Sequence, residues 1–174
     1  MAIDENAALI AEHFEAADDV SAAYAWHMRA GAWLTKRDFA AARLSWERAV
    51  RVADTLPADV PQRTASRIAP RTMLCVTAWL VGGSVADAGF DELRELCVGT
   101  GDDRPMAMAM YGILTPLTFQ LRLREASELA SEQSRLFACS ADPVSTTGVL
   151  SAAMFAKLHA GQGRRRRSVG PESH

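Results

Sequence analysis

The sequence predicts an all-α protein, built as an array of antiparallel helix pairs with seven to eight helices in 174 residues. Three observations predict this class. Apolar residues recur at steps of three and four along most of the chain, which is the periodicity of a helix with one buried face. Alanine, the best helix former, is abundant, whereas valine and isoleucine are sparse and seldom alternate with polar residues as strands require. Glycine and proline fall mostly between the apolar blocks, where joints between helices belong.

The first three helices are predicted over residues 6–17, 20–36 and 38–56. Asp18 and Asp19 are expected to end the first helix and to cap the second. Asp38 is expected to cap the third, because an aspartate side chain accepts hydrogen bonds from the free amides of a first helical turn. Pro57 ends this block, since proline cannot continue a helical hydrogen-bond ladder.

Further helices are predicted over residues 62–82, 86–98, 103–121, 123–138 and 142–160. Pro70 predicts a kink or a fresh start in the first of them, and Pro116 predicts a bend in the third. Residues 82–84, Gly-Gly-Ser, predict a turn. Residues 1–162 are thus predicted to form one helical repeat domain. Residues 163–174, with one apolar side chain and four successive arginines, are predicted to be a disordered arginine-rich tail.

The charge and the cysteine content of the chain limit the kinds of partner and site that the sequence predicts. Nineteen basic against 21 acidic residues give a formal charge of −2, which does not point to nucleic acid or a membrane surface as the partner of the whole chain. Cys75, Cys97 and Cys139 are odd in number and far apart, so they are predicted to be buried thiols without metal or redox pairing. The chain begins without a signal sequence and has no apolar run of membrane-spanning length, which predicts a cytoplasmic protein.

The polar residues do not form a recognisable catalytic or metal-binding pattern. His13 and His27 lie on adjacent predicted helices and would need Glu12 or Glu15 as a third metal ligand; histidines at a helix boundary are the simpler interpretation. The acidic pairs at 18–19 and 102–103 stand at helix starts, where they complement the helix dipole. Serines without a glycine elbow or a partner histidine are at positions 45, 127 and 131. The prediction is therefore a protein that is not an enzyme and has no cofactor or metal.

A methionine group in the predicted helix over residues 103–121 has two interpretations. Met106, Met108 and Met110 are either an adaptable binding surface or filler of the core, and the second is favoured.

One internal repeat fits the 34-residue tetratricopeptide template. Its predicted packing residues are Trp26, Ala30 and Trp33 on the second helix and Ala42, Trp46 and Ala49 on the third. Small residues at 30, 42 and 49 would let the two helices approach, with Trp33 and Trp46 wedged between them. Arg29 stands where the template has leucine, and Asp54 where proline is common. A weaker match covers residues 107–140. The alternative is a generic helical bundle whose tryptophans are simply core.

The opening of the chain resembles part of a class of larger proteins. The stretch Ala-Glu-His-Phe-Glu-Ala-Ala-Asp-Asp at 11–19 and the blocks 37–57 and 67–75 are similar to the tetratricopeptide-like region of actinobacterial regulators. Those regulators carry an AAA-type ATPase module, often a LuxR-type DNA-binding domain, and in some cases a class III adenylyl cyclase domain. The resemblance covers residues 7–162 and implies a signal-relay region. No Gly-Lys-Ser/Thr phosphate loop, cyclase aspartate or recognition helix matches, so none of these activities is assigned to a residue here.

The expected function is contact with other protein surfaces. A right-handed array would bind a peptide, a neighbouring domain or a sister chain in a concave groove. Because a partner helix would be expected after residue 162, the chain is predicted to be a truncated piece of a large ATP-dependent regulator. A short adaptor and a non-functional remnant are the alternatives, and the last helix predicts a homodimer if it is unpaired. The competing function is a small DNA-associated regulator acting through the arginine tail, Arg164 to Arg167.

Overall fold

The predicted all-α class is confirmed by a computed structural model, which describes residues 2–80 and 89–138. Within those ranges the chain forms eight α-helices and one 3-10 turn, without a strand, and its helix packing is consistent with a repeat array. The helices are α1 (Ala2–Glu5), α2 (Ala7–Ala16), α3 (Val20–Leu34), α4 (Phe39–Thr55), α5 (Arg63–Val76), α6 (Phe90–Cys97), α7 (Arg104–Phe119) and α8 (Leu123–Ala138). The 3-10 turn is Ala78–Leu80.

Some sequence-based predictions lie outside the described residues. They are the turn at 82–84, Cys139, the helix over 142–160, the domain end at 162 and the tail over 163–174.

The chain divides into two units, which we describe separately. The first contains residues 2–74 and 89–101, and the second contains residues 75–80 and 102–138. In the first unit α3 packs between α2 and α4, and the short α1 packs against both α2 and α3. In the second unit α7 packs against α8 and against the 3-10 turn.

Aspartate caps begin α3 and α4 as the sequence predicts. The side chain of Asp19 accepts a hydrogen bond from the amide of Ala22 at 3.0 Å, and that of Asp38 accepts one from Ala41 at 3.0 Å. Asp18, between α2 and α3, has a φ of 58°, in the left-handed region where asparagine and aspartate are tolerated better than other side chains. The two aspartates together therefore end one helix and start the next.

The two internal prolines do not restart their helices. α5 runs from Arg63 to Val76 through Pro70, so the fresh start expected there is wrong, and α7 likewise continues through Pro116. Proline removes one amide donor from the ladder, and burial of its ring offsets part of that loss. Both rings are buried. Just beyond Pro70, the hydroxyl of Thr72 donates to the carbonyl of Ile68 at 3.0 Å.

The second unit contains a direct contact between two backbones. A Cβ added at Gly112 in α7 would lie 2.6 Å from Cα and 2.7 Å from the carbonyl carbon of Val76. Only a residue without a side chain allows this approach. Near the start of α7, the fully buried Gln133 of α8 donates from Nε2 to the carbonyl of Ala107 at 2.9 Å.

Candidate interaction surface

The six predicted packing residues fall into two groups. Four of them, namely Ala30, Ala42, Trp46 and Ala49, are at most 1% exposed. The other two, Trp26 and Trp33, are only partly buried. The structure therefore buries the three small residues and one indole, and it leaves the other two indoles of α3 partly exposed.

A close approach of the two helices is at Gly31, next to the small residue expected at position 30. A Cβ at Gly31 would lie 2.5 Å from Cδ1 and 2.7 Å from Cε2 of Trp46. The indole thus packs closely against the α3 backbone at Gly31, and Ala42 and Leu74 belong to the same buried cluster. The sequence signal for this contact was the glycine itself, since glycine within a helix is unfavourable unless packing requires it.

The two partly buried tryptophans belong to a surface that we call the α3 aromatic row, defined as Trp26, Arg29, Trp33 and Arg37. The guanidinium carbon of Arg29 lies 4.8 Å from the ring centroid of Trp26, and that of Arg37 lies 4.1 Å from the centroid of Trp33. Both distances are in the range of cation–π attraction. Arg29 follows Trp26 by three residues, which places the two on one face of α3. Arg37 follows Trp33 by four residues and lies in the turn just after the end of α3. The departure from the repeat template at Arg29 was the signal for this row in the sequence.

Charge is distributed unevenly along the α3 aromatic row. At one end, Asp4 of α1 accepts from Nε of Arg29 at 2.5 Å. At the other end, Arg37 donates to the carbonyl of Trp33 at 2.8 Å. Neither Arg37 nor the neighbouring Lys36 is paired with a carboxylate in the part of the chain that the structure describes, and both are exposed. One end of the row is therefore neutralised, and the other carries two open positive charges.

A second polar group, centred on His27, links α2, α3 and α4. His27 is fully buried, and its Nε2 pairs with the carboxylate of Glu15. Beside it Glu12 forms an ion pair with Arg48. Burial lowers the pKa of His27, and the Glu15 carboxylate opposes that shift. The hydrogen bond from Arg48, with its charge, lowers the pKa of Glu12.

This group has the character of a structural network. Nδ1 of His27 is buried without a hydrogen-bond partner, whereas His13 is exposed. Among the described residues no group of three or more histidine, cysteine, aspartate or glutamate side chains has the arrangement of a metal site.

The remaining candidate polar side chains make local contacts. The carboxylate of Asp102 accepts two hydrogen bonds from the guanidinium of Arg104. Hydrogen bonds from Arg104 lower the pKa of the Asp102 carboxyl to about 2. The hydroxyl of Ser45 donates to the carbonyl of Ala41 at 3.0 Å, as is common for serine within a helix. Ser131 makes the same contact with the carbonyl of Ser127 at 2.8 Å.

Most of the candidate methionine and cysteine side chains that the structure describes lie in the interior. Met106 and Met110 are buried, and Met108 is 47% exposed, so the group does not form one continuous surface. Cys75 and Cys97 are both buried.

Comparison with known proteins found no relative of this chain. No family model matches the sequence, and neither a curated protein nor a solved structure matches it. Within the described residues, no helix combines the length and apolar character needed to cross a bilayer.

Proposed function

We propose that this chain is a cytoplasmic protein-interaction module without chemistry of its own, and that the α3 aromatic row is its contact surface. One observation carries the proposal: two partly exposed tryptophans stand on one helix face, each with an arginine guanidinium over its ring. Tryptophan and arginine are the residues that most often dominate the energy of protein interfaces. A helix that leaves both types on its surface is suited to binding another protein.

The packing of α3 supports this assignment, because α3 is held on two sides by α2 and α4. The contact of Trp46 with Gly31 and the buried Ala30 fix the helix that carries the row. A partner would therefore meet side chains on a rigid support and would lose less conformational entropy than on a mobile loop. In the regulators that the sequence resembles, a module of this kind would relay contact with a partner to an attached ATPase or transcription module.

The test is selection of binding peptides from a phage-displayed random library on the purified full chain. We expect enriched peptides whose affinity falls about tenfold or more in Trp33→Ala, since removing a hot-spot tryptophan costs roughly 2 kcal/mol or more. Trp79→Ala is the matched control, because Trp79 is 43% exposed and lies in the second unit. Far-UV circular dichroism of both variants would establish that they remain helical.

Two results would count against the proposal. One is a selection that enriches no peptide above background. The other is a set of peptides that bind Trp33→Ala as well as the wild-type chain, because the contact surface would then lie elsewhere.

A further inference from the structure

We propose that the α3 aromatic row binds an acidic segment of a partner protein, and that α1 occupies one end of this site as an intramolecular substitute. The inference rests on the proposed function and specifies the chemistry of the partner. The structure supports it with an acidic side chain already placed on the row, a pair of open cations further along, and the charge of the surrounding helices.

The first observation is the contact between α1 and α3. α1 has the sequence Ala-Ile-Asp-Glu, and its Asp4 carboxylate accepts from Arg29 at 2.5 Å while that guanidinium covers the ring of Trp26. A carboxylate on an arginine that is itself stacked on an indole shows how an acidic residue of a partner would be held. Stacking orients the guanidinium and leaves its N–H edge free to meet the carboxylate.

The second observation is the open end of the row. Lys36 and Arg37 are exposed and have no carboxylate partner among residues 2–80 and 89–138. Arg37 is stacked on Trp33 as Arg29 is stacked on Trp26. The open end thus repeats the arrangement that receives Asp4, but without an acid. This repetition identifies the unfilled part of the site.

The size of the row fits a short peptide. From Trp26 to Leu34, where α3 ends, the helix axis advances about 12 Å, at about 1.5 Å per residue. An extended peptide covers that distance with about four residues, and Arg37 lies in the turn just beyond. Such a segment has room for carboxylates near Arg29 and Arg37 and for an apolar side chain between them, against the indoles.

Charge favours an acidic peptide over nucleic acid. The six charged side chains from residue 2 to residue 19 are all acidic, and Asp4 lies directly on the row. A phosphate backbone, with its continuous negative charge, would be repelled along this side. A peptide avoids that repulsion because it can place its carboxylates only where the cations are and apolar groups elsewhere.

The placement of α1 implies competition. A partner carboxylate reaches Arg29 only after Asp4 leaves, so α1 lowers the affinity of the site. Replacing Asp4 by asparagine removes the charge of the competitor and keeps its shape. This variant therefore strengthens binding, which a purely structural role of α1 does not predict.

The experiment is fluorescence anisotropy with a labelled synthetic peptide that alternates leucine with aspartate and glutamate. A second peptide with asparagine and glutamine at the acidic positions is the control for charge. We expect the acidic peptide to bind the full chain at least about tenfold tighter than the amide peptide. Added salt should weaken the binding, since the pairs are exposed.

Variants of the chain assign the contacts. Arg37→Gln should weaken binding of the acidic peptide about tenfold, because it removes both the charge and the stacked guanidinium. Asp4→Asn should strengthen it about threefold, the effect of one exposed ion pair. Arg124→Gln is the matched control: its side chain is 92% exposed, pairs with Glu128 and lies in the second unit. It should leave the affinity unchanged.

Each contrary outcome has a distinct meaning. Equal binding of the two peptides, or no effect of Arg37→Gln, refutes the proposal that the partner segment is acidic. The proposed interaction module would still stand in that case if the library peptides depend on Trp33. A single-stranded DNA oligonucleotide that binds more tightly than the acidic peptide, and loses affinity in Arg37→Gln, replaces the acidic peptide with nucleic acid. Unchanged or weaker binding in Asp4→Asn overturns the competition by α1. If neither the library nor the acidic peptide binds, the proposed function fails as well.

Discussion

Replacing Gly31 by alanine should destabilise the protein, although the same change within most exposed helices is stabilising. Alanine is favoured over glycine in a helix interior by about 1 kcal/mol. At position 31 the added methyl would lie 2.5 Å from Cδ1 and 2.7 Å from Cε2 of Trp46, well inside van der Waals contact. Trp46 is 1% exposed, so its ring cannot turn away from Gly31 toward solvent without losing its burial. The packing conflict therefore outweighs the gain in helix propensity.

The size of the effect follows from these opposing contributions. Overpacking of a closed core costs typically about 1–3 kcal/mol, and the contact here is at the severe end. With the propensity gain of about 1 kcal/mol set against about 3 kcal/mol, Gly31→Ala should lower the free energy of unfolding by about 2 kcal/mol. Trp46→Ala should lower it by about 3–5 kcal/mol through the loss of a buried ring. In that background Gly31→Ala has no ring to meet and should restore about 1 kcal/mol.

Urea denaturation followed by far-UV circular dichroism measures all four chains of this cycle. The expected coupling between positions 31 and 46 is about 3 kcal/mol, far above the value for independent sites. The m-values should agree, so that midpoints can be compared as stabilities. If Gly31→Ala raises the stability of the wild-type chain, or if the two changes are additive, the indole does not pack on α3 at this point.

Three further predictions follow from single features of the fold. Asp38→Ala should lower the free energy of unfolding by about 1 kcal/mol through loss of the α4 cap, measured by urea midpoint. Asp59→Ala is its control, because Asp59 is exposed in the turn between α4 and α5, and equal effects of the two would refute the cap. Burial lowers the pKa of His27 in the folded protein. As the pH falls, this histidine is therefore protonated at a higher pH in the unfolded chain than in the folded one. Stability should therefore fall below about pH 6.5, by at most about 1.4 kcal/mol per pH unit, and level off below the native pKa. Urea titrations of His27→Gln across this pH range should lack the loss of stability that is due to His27. Parallel profiles of stability against pH for the variant and the wild-type chain would refute the prediction. Gly112→Ala should lower the melting temperature by several degrees, about 2–4 °C per kcal/mol, as the methyl meets the Val76 backbone. An unchanged melting temperature would exclude that approach.

The helices were predictable because their information is local. A capping aspartate acts within one turn, so Asp19 and Asp38 identify the starts of α3 and α4 without reference to the rest of the chain. The prolines show the limit of such reasoning. The cost of Pro70 is local, but burial of its ring is a tertiary contribution, and α5 continues through it.

The candidate surface was less predictable than the helices. The repeat template identified the buried residues Ala30, Ala42 and Trp46, because spacing alone places them between two helices. It gave Trp33 the same role, although the structure leaves that ring partly exposed beneath Arg37. The side of a helix that its neighbour buries depends on how far each of the two helices is rotated about its own axis. That rotation is determined by contacts such as Gly31 with Trp46, which join distant parts of the sequence.

The buried amide of Gln133 adds a directional contact to the pairing of α7 with α8. The other buried side chains of the two helices are mainly apolar, and apolar contacts alone specify the register of two helices less sharply than a hydrogen bond does. Sliding would take Nε2 of Gln133 away from the Ala107 carbonyl and leave a buried donor without a partner. Replacing the amide by methionine, which has a similar volume, would keep the burial and remove this discrimination, as loss of a buried asparagine does in coiled coils. One polar side chain thus favours the observed alignment of this helix pair over alignments in which its amide would lose the Ala107 carbonyl.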